Sequence, residues 1–314
     1  MEQRDLTAPV APHGVWAAVA TPFDERERFD EGVLRENVRR LAAAGVHGIY
    51  STDADGEFYA LELDDFARVV DALADETARA GVACQVGVSW SSTAGVTRRL
   101  AHCVSRGVQG AHVGHPIYMQ MTTESWLRYW DDVAAAVPDS FALIHYNTPK
   151  MPNHLTGPQY AQLAARIPQL TGTKYVGSDV VEFAALVRHA PRLAHFCGEQ
   201  AFGFLAPYGA TGLYSWFVNF NPRFMLAWYE DARCERWAEV VRKQRRMLEL
   251  IEASAILVEG GNEHAVIAKA LCSASDFLID RPTVRRPYLP VPPERVRAWQ
   301  RLVDERFPDL VWTP

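Results

Sequence analysis

The stretch Leu170-Thr-Gly-Thr-Lys174-Tyr-Val-Gly177 has the composition of a short buried strand, with one lysine near its centre and glycines near both ends. Only four of the 32 basic residues of the chain are lysines, and the others are arginines. Arginine serves wherever a positive charge is enough, whereas lysine can also lose its proton and attack a carbonyl carbon. Lys174 is therefore a candidate nucleophile, and the alternative is an ordinary charge at a strand end or in a salt bridge.

The pattern around this strand repeats along the chain as apolar runs of strand length that alternate with amphipathic helices. In the first repeat, Gly14 to Pro22 is an apolar run ended by proline, and Asp30 caps a helix that Gly45 closes. The predicted strands are 14–22, 46–52, 82–89, 110–116, 141–147, 170–177, 193–198 and 211–219. The helices that follow them are 30–44, 63–80, 93–106, 123–136, 157–167, 179–190, 201–209 and one from 222.

Strands that are apolar throughout are typical of a parallel sheet covered by helices, so the pattern predicts an α/β fold. About eight such units favour a closed (β/α)8 TIM barrel over residues 14–233. A doubly wound open sheet is the alternative, but no GxGxxG motif follows the first strand. Residues 234–314 show only helical patterns, at 234–255, 262–273 and 294–306. We expect them to form a helical extension packed on the barrel.

Composition narrows the class of function. The net charge of -6 and the pI near 5.9 argue against a nucleic-acid or anionic-membrane surface. The sequence has no apolar run near the roughly 18 residues of a membrane span, and residues 1–14 have no hydrophobic signal core. The five cysteines form no CxxC pair and the ten histidines form no HExxH motif, so no metal site is predicted. These features predict a cytoplasmic protein.

In TIM barrels the active site lies at the carboxyl ends of the strands. There the sequence places Lys174 on the sixth strand and Tyr146 on the neighbouring fifth. Burial away from water favours the neutral amine of a lysine, which attacks keto groups, and a nearby phenol can shuttle the protons. The alternative for Tyr146 is a core aromatic residue whose hydroxyl is hydrogen-bonded.

On four short motifs, the chain resembles the dihydrodipicolinate synthase/N-acetylneuraminate lyase family of class I pyruvate aldolases. They lie in the family's order on the expected strands, and the resemblance covers residues 14–305. The motifs are Ala20-Thr-Pro-Phe23, Gly56-Glu57, Tyr146-Asn147-Thr148-Pro149 and Gly172-Thr-Lys174.

The resemblance implies that Lys174 forms an imine with pyruvate and that Tyr146 shuttles protons. It also implies that no cofactor is needed beyond this covalent imine, and that the partners are a small keto acid and an aldehyde. Family members are usually homotetramers built as dimers of dimers, and Tyr118 falls where many of them place a second tyrosine across a dimer interface.

The carboxylate-binding loop departs from the family pattern. The usual G-T-T-G-E reads here as Asp53-Ala54-Asp55-Gly56-Glu57, so the two threonines that bind carboxylate and relay protons are replaced. An ionised Asp55 would repel the carboxylate, although backbone amides around Asp55 and Gly56 could still hold it. Hydroxyl groups near the same strand ends belong to Ser51, Thr52 and Ser91.

A second departure concerns the other substrate. Dihydrodipicolinate synthases carry an arginine soon after Y-N-x-P, whereas this chain has Met151 at about that place. Several segments resemble instead the hydratase-aldolases that cleave trans-o-hydroxybenzylidenepyruvate: 118–121, 132–138 and 173–177. An apolar wall of aromatic residues accepts a flat aryl group better than a polyhydroxylated sugar acid. The candidates for this wall are Trp90, Tyr118, Tyr214 and Trp216, with Met151 nearby.

Three functional hypotheses follow. The first is a carbon–carbon lyase, an aldolase or hydratase-aldolase, acting between pyruvate and an aromatic or apolar aldehyde. The second is another enzyme on the same scaffold, such as a sugar-acid lyase, a dehydratase or a dihydrodipicolinate synthase-like enzyme. The third is a protein that has lost catalysis and binds a small keto acid; the altered loop at 53–55 motivates it, and the retained Lys174 and Tyr146 argue against it.

Overall fold

The computed structural model describes residues 12–258, 264–279 and 281–313. Eight parallel strands follow one another around a closed barrel, and the first pairs with the last. The strands are β1 Gly14–Ala18, β2 Gly48–Ser51, β3 Ala83–Gly87, β4 Gly110–Val113, β5 Ala142–Asn147, β6 Leu170–Tyr175, β7 Ala194–Cys197 and β8 Gly212–Ser215. The predicted (β/α)8 barrel is therefore confirmed, and the open-sheet alternative is wrong.

Helices separate the strands and extend the chain beyond the barrel. Those around the barrel are α1 Glu31–Ala43, α2 Leu63–Ala80, α3 Thr93–Ser105, α4 Thr123–Ala135, α5 Gly157–Arg166, α6 Val180–His189, α7 Phe202–Leu205 and α8 Pro222–Arg233. Those of the extension are α9 Trp237–Ala253, α10 His264–Cys272 and α11 Pro293–Arg306. Among the described residues, none of the helices combines the length and the apolar composition that a membrane span requires. Residues 1–11, part of the segment predicted to lack a signal core, lie outside the described residues.

Capping residues in the sequence mark where several helices begin and end. The Asp30 side chain accepts a hydrogen bond from the Val33 amide at the start of α1, as its capping role predicts. Gly81 closes α2 in the left-handed region, at a φ of 66°. The predicted helix 234–255 instead begins at Trp237, because Glu235 has a positive φ of 55° and separates α8 from α9. Residues 262 and 263 of the predicted helix 262–273 lie outside the described part.

The last strand is shorter than its apolar pattern suggests. The run 211–219 forms a strand only to Ser215, and Phe217–Asn219 is a 3-10 turn. The reason is a contact from the end of β7: the buried Glu199 carboxylate accepts hydrogen bonds from the Trp216 and Phe217 amides. Those amides are therefore bound to a side chain at the point where the strand gives way to the turn.

The barrel has an aromatic interior. One cluster of buried residues fills the inside of the strands, separate from the larger core between strands and helices. The cluster is densely packed, since a Cβ on Gly48 would lie 2.3 Å from the Trp16 ring. Its members are Trp16, Ala18, Tyr50, Ala142, Ile144, Ala194, Phe196 and Tyr214.

The C-terminal helices contact the loops at the carboxyl ends of the strands. In α10, Lys269 Nζ lies 2.5 Å from Glu57 Oε1 in the loop after β2, and both side chains are buried. In α9, the side-chain amide of Gln244 donates to the Glu199 carbonyl at 3.0 Å. The extension thus packs on the end of the barrel where catalysis is expected.

Lys269→Met should destabilise the protein by about 3–5 kcal/mol, because it leaves the Glu57 carboxylate buried without its cation. The double variant Glu57→Gln with Lys269→Met should recover most of that loss. Urea unfolding measures both. Arg242→Met, which removes an exposed partner of Glu239, is the control and should cost far less. If Lys269→Met and the control lowered the free energy of unfolding equally, the buried pair would not be important for stability.

Candidate active site

Lys174 lies in the carboxyl-terminal half of β6 with its side chain inside the barrel. Its strand neighbours are Tyr146 on β5 and Phe196 on β7. Side chains alternate along a strand, so residues on either side of Lys174 point to the helices. Thr173 accordingly hydrogen-bonds to His195, and the Tyr175 hydroxyl donates to Glu182 at 2.7 Å.

The Lys174 amine lies against one carboxylate and three tyrosine rings. It donates hydrogen bonds to Asp53 Oδ2 at 2.7 Å and to the Tyr50 hydroxyl at 3.2 Å. Its distances to the ring centroids are 4.3 Å for Tyr50, 4.5 Å for Tyr146 and 5.5 Å for Tyr214. Negative charge and aromatic faces both favour a cation here, either an ammonium or a protonated imine.

Asp53 belongs to a buried network that crosses the barrel. Its Oδ2 atom lies 2.5 Å from Nδ1 of His112, and His112 Nε2 lies 2.8 Å from Oε1 of Gln85. The Tyr214 hydroxyl donates to the same Gln85 oxygen at 2.7 Å. Burial alone would raise the pKa of Asp53, but Lys174 and His112 together lower it to about 2. Asp53 is therefore ionised at neutral pH.

Two tyrosine hydroxyls can act as proton donors beside Lys174. Burial raises the pKa of both Tyr146 and Tyr50 well above the ordinary value of a phenol, and the nearby carboxylates act in the same direction. Both phenols are therefore protonated at neutral pH. The sequence predicts a role for Tyr146 only, whereas the structure also places the Tyr50 hydroxyl within hydrogen-bond distance of the amine.

Lys174 lines a cavity of about 320 Å³ at the mouth of the barrel. Three charged residues contribute to its lining in the described structure: Lys174, Asp55 and Glu199. Glu199 is already engaged by the amides that end β8, and burial raises its pKa. Much of the wall is apolar, and the C-terminal helices and the turn between them supply a large part of it. The apolar members from that region are Ile251, Val258, Ile267, Ala268 and Leu271.

Five of the residues selected from sequence line this cavity: Lys174, Tyr146, Asp55, Tyr214 and Trp216. Tyr214 and Trp216 share strand parity and do line it together. The Tyr214 hydroxyl, however, reaches across the barrel to Gln85 and is not free for a ligand unless that bond breaks.

Ser51, Thr52 and Gly56 direct their polar groups to the backbone. The Ser51 hydroxyl donates to the Val19 carbonyl at 2.8 Å, and the Thr52 hydroxyl lies 2.7 Å from the carbonyls of Ser51 and Gly87. The Gly56 amide donates to the Asp53 carbonyl at 3.0 Å. These groups fix the shape of the loop rather than face a ligand.

Four other selected residues, Trp90, Ser91, Tyr118 and Met151, lie away from the lining of the cavity as the structure describes it. The Trp90 ring stacks on the Arg99 guanidinium, 3.6 Å from the ring centroid, and Ser91 is exposed nearby. Both residues lie away from the cavity because β3 ends at Gly87 and the chain then turns toward α3. Tyr118 is 86% exposed.

Met151 is buried beside Gly114: a Cβ added to Gly114 would meet its Sδ at 2.7 Å. The methionine therefore fills space behind the strand ends and not the wall of the cavity.

The structure adds four residues to the site that the sequence motifs do not point to: Asp53, Tyr50, His112 and Gln85. A signal for three of them is present: Tyr50, Gln85 and His112 are polar side chains inside otherwise apolar strands. Across the described residues, no group of three or more histidine, cysteine, aspartate or glutamate side chains has the arrangement of a metal site.

Residues 11–306 match the sequence profile described as the Dihydrodipicolinate synthetase family. The chain belongs to this family. A similar relative is an uncharacterised DapA-like lyase of Halobacterium salinarum, 32% identical over 71% of this chain and 72% of its own length. A trans-O-hydroxybenzylidenepyruvate hydratase-aldolase of Pseudomonas aeruginosa is 30% identical over 58% of this chain and 55% of its own.

The fold is also found among solved structures. The prophage protein YagE of Escherichia coli K12, crystallised with pyruvate, superposes with a TM-score of 0.86, covering 93% of this chain and 98% of its own. At 20% identity this likeness establishes the shared fold alone. The resemblance found in the sequence motifs is thus confirmed at the level of family and fold.

Proposed function

We propose that the protein is a class I lyase that makes or breaks a carbon–carbon bond between pyruvate and an aromatic or apolar aldehyde through an imine on Lys174. One observation carries the proposal. The Lys174 amine is buried at the edge of a cavity, beside Asp53 and protonated phenols. An imine-forming lysine needs this combination of a shielded amine, a carbonyl-sized space and proton carriers.

The proposed chemistry uses Lys174 as nucleophile and Tyr146 as proton carrier. The amine attacks the keto carbon, and the carbonyl oxygen leaves as water to give a protonated imine. In the cleavage direction, a base removes the proton of the aldol hydroxyl, the carbon–carbon bond breaks, and its electrons move into the imine to give an enamine and the aldehyde. Protonation of the enamine carbon and hydrolysis then release pyruvate and restore Lys174.

The cavity lining supports an apolar acceptor. Its described members include no arginine, while Asp55 and Glu199 would both disfavour a second carboxylate. Trp216 and the side chains of the C-terminal helices offer apolar surface to an aryl ring. The hydratase-aldolase of Pseudomonas aeruginosa is named for such a substrate, and its partial similarity supports the same class here.

Asp55 is the residue that the proposal must accommodate. It lines the cavity where the family pattern has a threonine, and its charge opposes the lowering of the Lys150 pKa that burial produces. Asp55 and Lys150 are thus close enough to interact, which offsets part of the negative charge. We propose that the backbone of Ala54 and Asp55, rather than side-chain hydroxyls, receives the keto-acid carboxylate.

The other hypotheses make different demands on the same cavity. A sugar-acid lyase needs paired donors and acceptors for each substrate hydroxyl, which the aliphatic wall does not supply. A keto-acid-binding protein without catalysis needs no proton carriers.

We also retain a cytoplasmic homo-oligomer, a dimer of dimers, as part of the proposal. The exposed apolar side chains of Ile117, Tyr118 and Met119 are the surface that a second copy would cover.

Incubation with pyruvate and borohydride should add one reduced pyruvate to Lys174, as peptide mass mapping would show. Lys174→Arg should give no adduct, because guanidinium stays protonated at workable pH. Lys243→Arg is the matched control: Lys243 is paired with Asp231 on the outer helices, and its replacement should leave the adduct intact. An adduct on another lysine, or none with any 2-oxo acid, would refute the proposal.

Tyr146→Phe should slow turnover by roughly 10²–10⁴-fold, the usual contribution of a positioned general acid–base. Steady-state kinetics with an aryl aldehyde and pyruvate measures this. Tyr160→Phe is the control, because Tyr160 is equally buried but its hydroxyl meets His145 behind the strand. If Tyr146→Phe kept near-normal turnover, the shuttle would be another group, with Tyr50 first to test.

In the condensation direction, benzaldehydes should give a higher kcat/KM than aspartate semialdehyde, N-acetylmannosamine or glyceraldehyde. Burying a phenyl-sized group in the apolar wall contributes roughly 1.5–3 kcal/mol of favourable binding free energy. Each unpaired sugar hydroxyl would cost about 1–3 kcal/mol in the same wall. Trp216→Ala and Leu271→Ala should weaken the aryl aldehydes selectively. A sugar or aspartate semialdehyde as the best acceptor would contradict the apolar assignment while leaving the lysine imine in place.

A further inference from the structure

We propose that Asp53 is a catalytic residue that takes and returns the protons of the Lys174 amine and then serves as the counter-ion of the imine. This inference rests on the proposed imine at Lys174 and adds a second group to it. Asp53 Oδ2 lies 2.7 Å from Lys174 Nζ, so the carboxylate touches the atom on which every step of imine formation takes place.

The carboxylate is fixed in this position from several strands. His112 holds Oδ2 at 2.5 Å and is itself held by Gln85. On the other side the space is closed: a Cβ on Gly87 would lie 2.2 Å from Asp53 Oδ1, so only glycine leaves room for the carboxylate. The Asp53 and Lys174 side chains are 1% and 8% exposed. Water therefore competes little for either group, and the carboxylate stays aimed at the amine.

Imine formation requires protons to move from the lysine nitrogen to the carbonyl oxygen. An ammonium and a ketone become a protonated imine and water, so the site carries one positive charge before and after the reaction. Two protons leave the nitrogen during the reaction, and both depart with the carbonyl oxygen. A single base that touches the nitrogen can take each proton in turn and pass it to that oxygen, which is bonded to the carbon attached to Nζ.

Asp53 has the capacity for this role. It rests ionised, because Lys174 and His112 overcome the effect of burial on its pKa. Its Oδ2 atom accepts a hydrogen bond from the Lys174 amine, so a proton can move along that bond to the carboxylate. After the first transfer the carboxylate is again negative beside the N-protonated carbinolamine, and after the second transfer it pairs with the protonated imine. Each step thus ends with a buried cation beside its anion.

A purely structural role for Asp53 predicts a different outcome. If the carboxylate only neutralised the resting ammonium, its removal would favour the uncharged nucleophilic amine, and adduct formation would be as fast or faster. If Asp53 carries protons and pairs with the imine, its removal leaves no base at the nitrogen and a buried cation without an anion. Adduct formation would then slow.

The test is the rate at which borohydride traps pyruvate on Lys174, measured by mass spectrometry in the intact protein and in Asp53→Asn. We expect the variant to be slower by roughly 10²–10⁴-fold. Glu76→Gln is the matched control, because it removes a buried carboxylate whose partners, Arg35 and Arg79, lie on the outer helices α1 and α2. Below its unfolding temperature it should trap pyruvate at the normal rate.

The outcomes separate the two proposals. Normal trapping by the unaltered protein and by Asp53→Asn alike overturns the role of Asp53 and leaves the imine on Lys174 intact. No trapping by the unaltered protein overturns both. If Asp53→Asn does not fold, Asp53→Ala is assayed with added formate, which fits the space of the deleted carboxylate. If formate speeds trapping by Asp53→Ala, the proposal is supported. If the folded Asp53→Ala variant traps pyruvate fast without formate, the proposal is overturned.

Discussion

The ion pair between Lys174 and Asp53 determines how the interior of this barrel is built. Removing two charges from water is costly, and their attraction offsets that cost only where other hydrogen bonds complete the site. Here His112 and Gln85 continue the network from Asp53, and Tyr50 donates no charge but offers both a hydroxyl and a ring face to the amine. Polar and aromatic side chains therefore take places that aliphatic residues commonly fill inside such barrels.

The barrel itself was predictable, because its signals are local. Apolar runs, the Asp30 cap and the glycine that closes α2 each act within a few residues of the chain. The end of β8 was not, since it depends on Glu199, which reaches its partners from the loop after β7. The start of α9 was missed for a similar reason: the apolar period continues through Glu235, but the backbone there has a positive φ.

The candidate site was predictable only where strand register places a residue. Lys174 and Tyr146 are neighbours because their strands pair directly, and Tyr214 follows from the parity of β8. Loop residues were harder: Trp90 turns outward to Arg99 although it follows a barrel strand by only three positions. Asp53 was visible as a departure from the family loop, but its link to Lys174 requires the closed barrel, because 121 residues separate the two.

Asp53 in place of the family's glycine and Asp55 in place of a threonine belong, with the apolar wall, to one change in the site. Asp53 neutralises Lys174, and the other charges of the described lining, on Asp55 and Glu199, are carboxylates. Such a cavity does not attract a keto acid by net charge, so the proposed reaction would rely on the imine, on the backbone amides of Ala54 and Asp55 and on apolar contact. The C-terminal helices supply much of that contact through residues such as Ile267 and Leu271. The pair of Glu57 and Lys269, which ties α10 to the altered loop, therefore couples the apolar wall to the segment that carries Asp53.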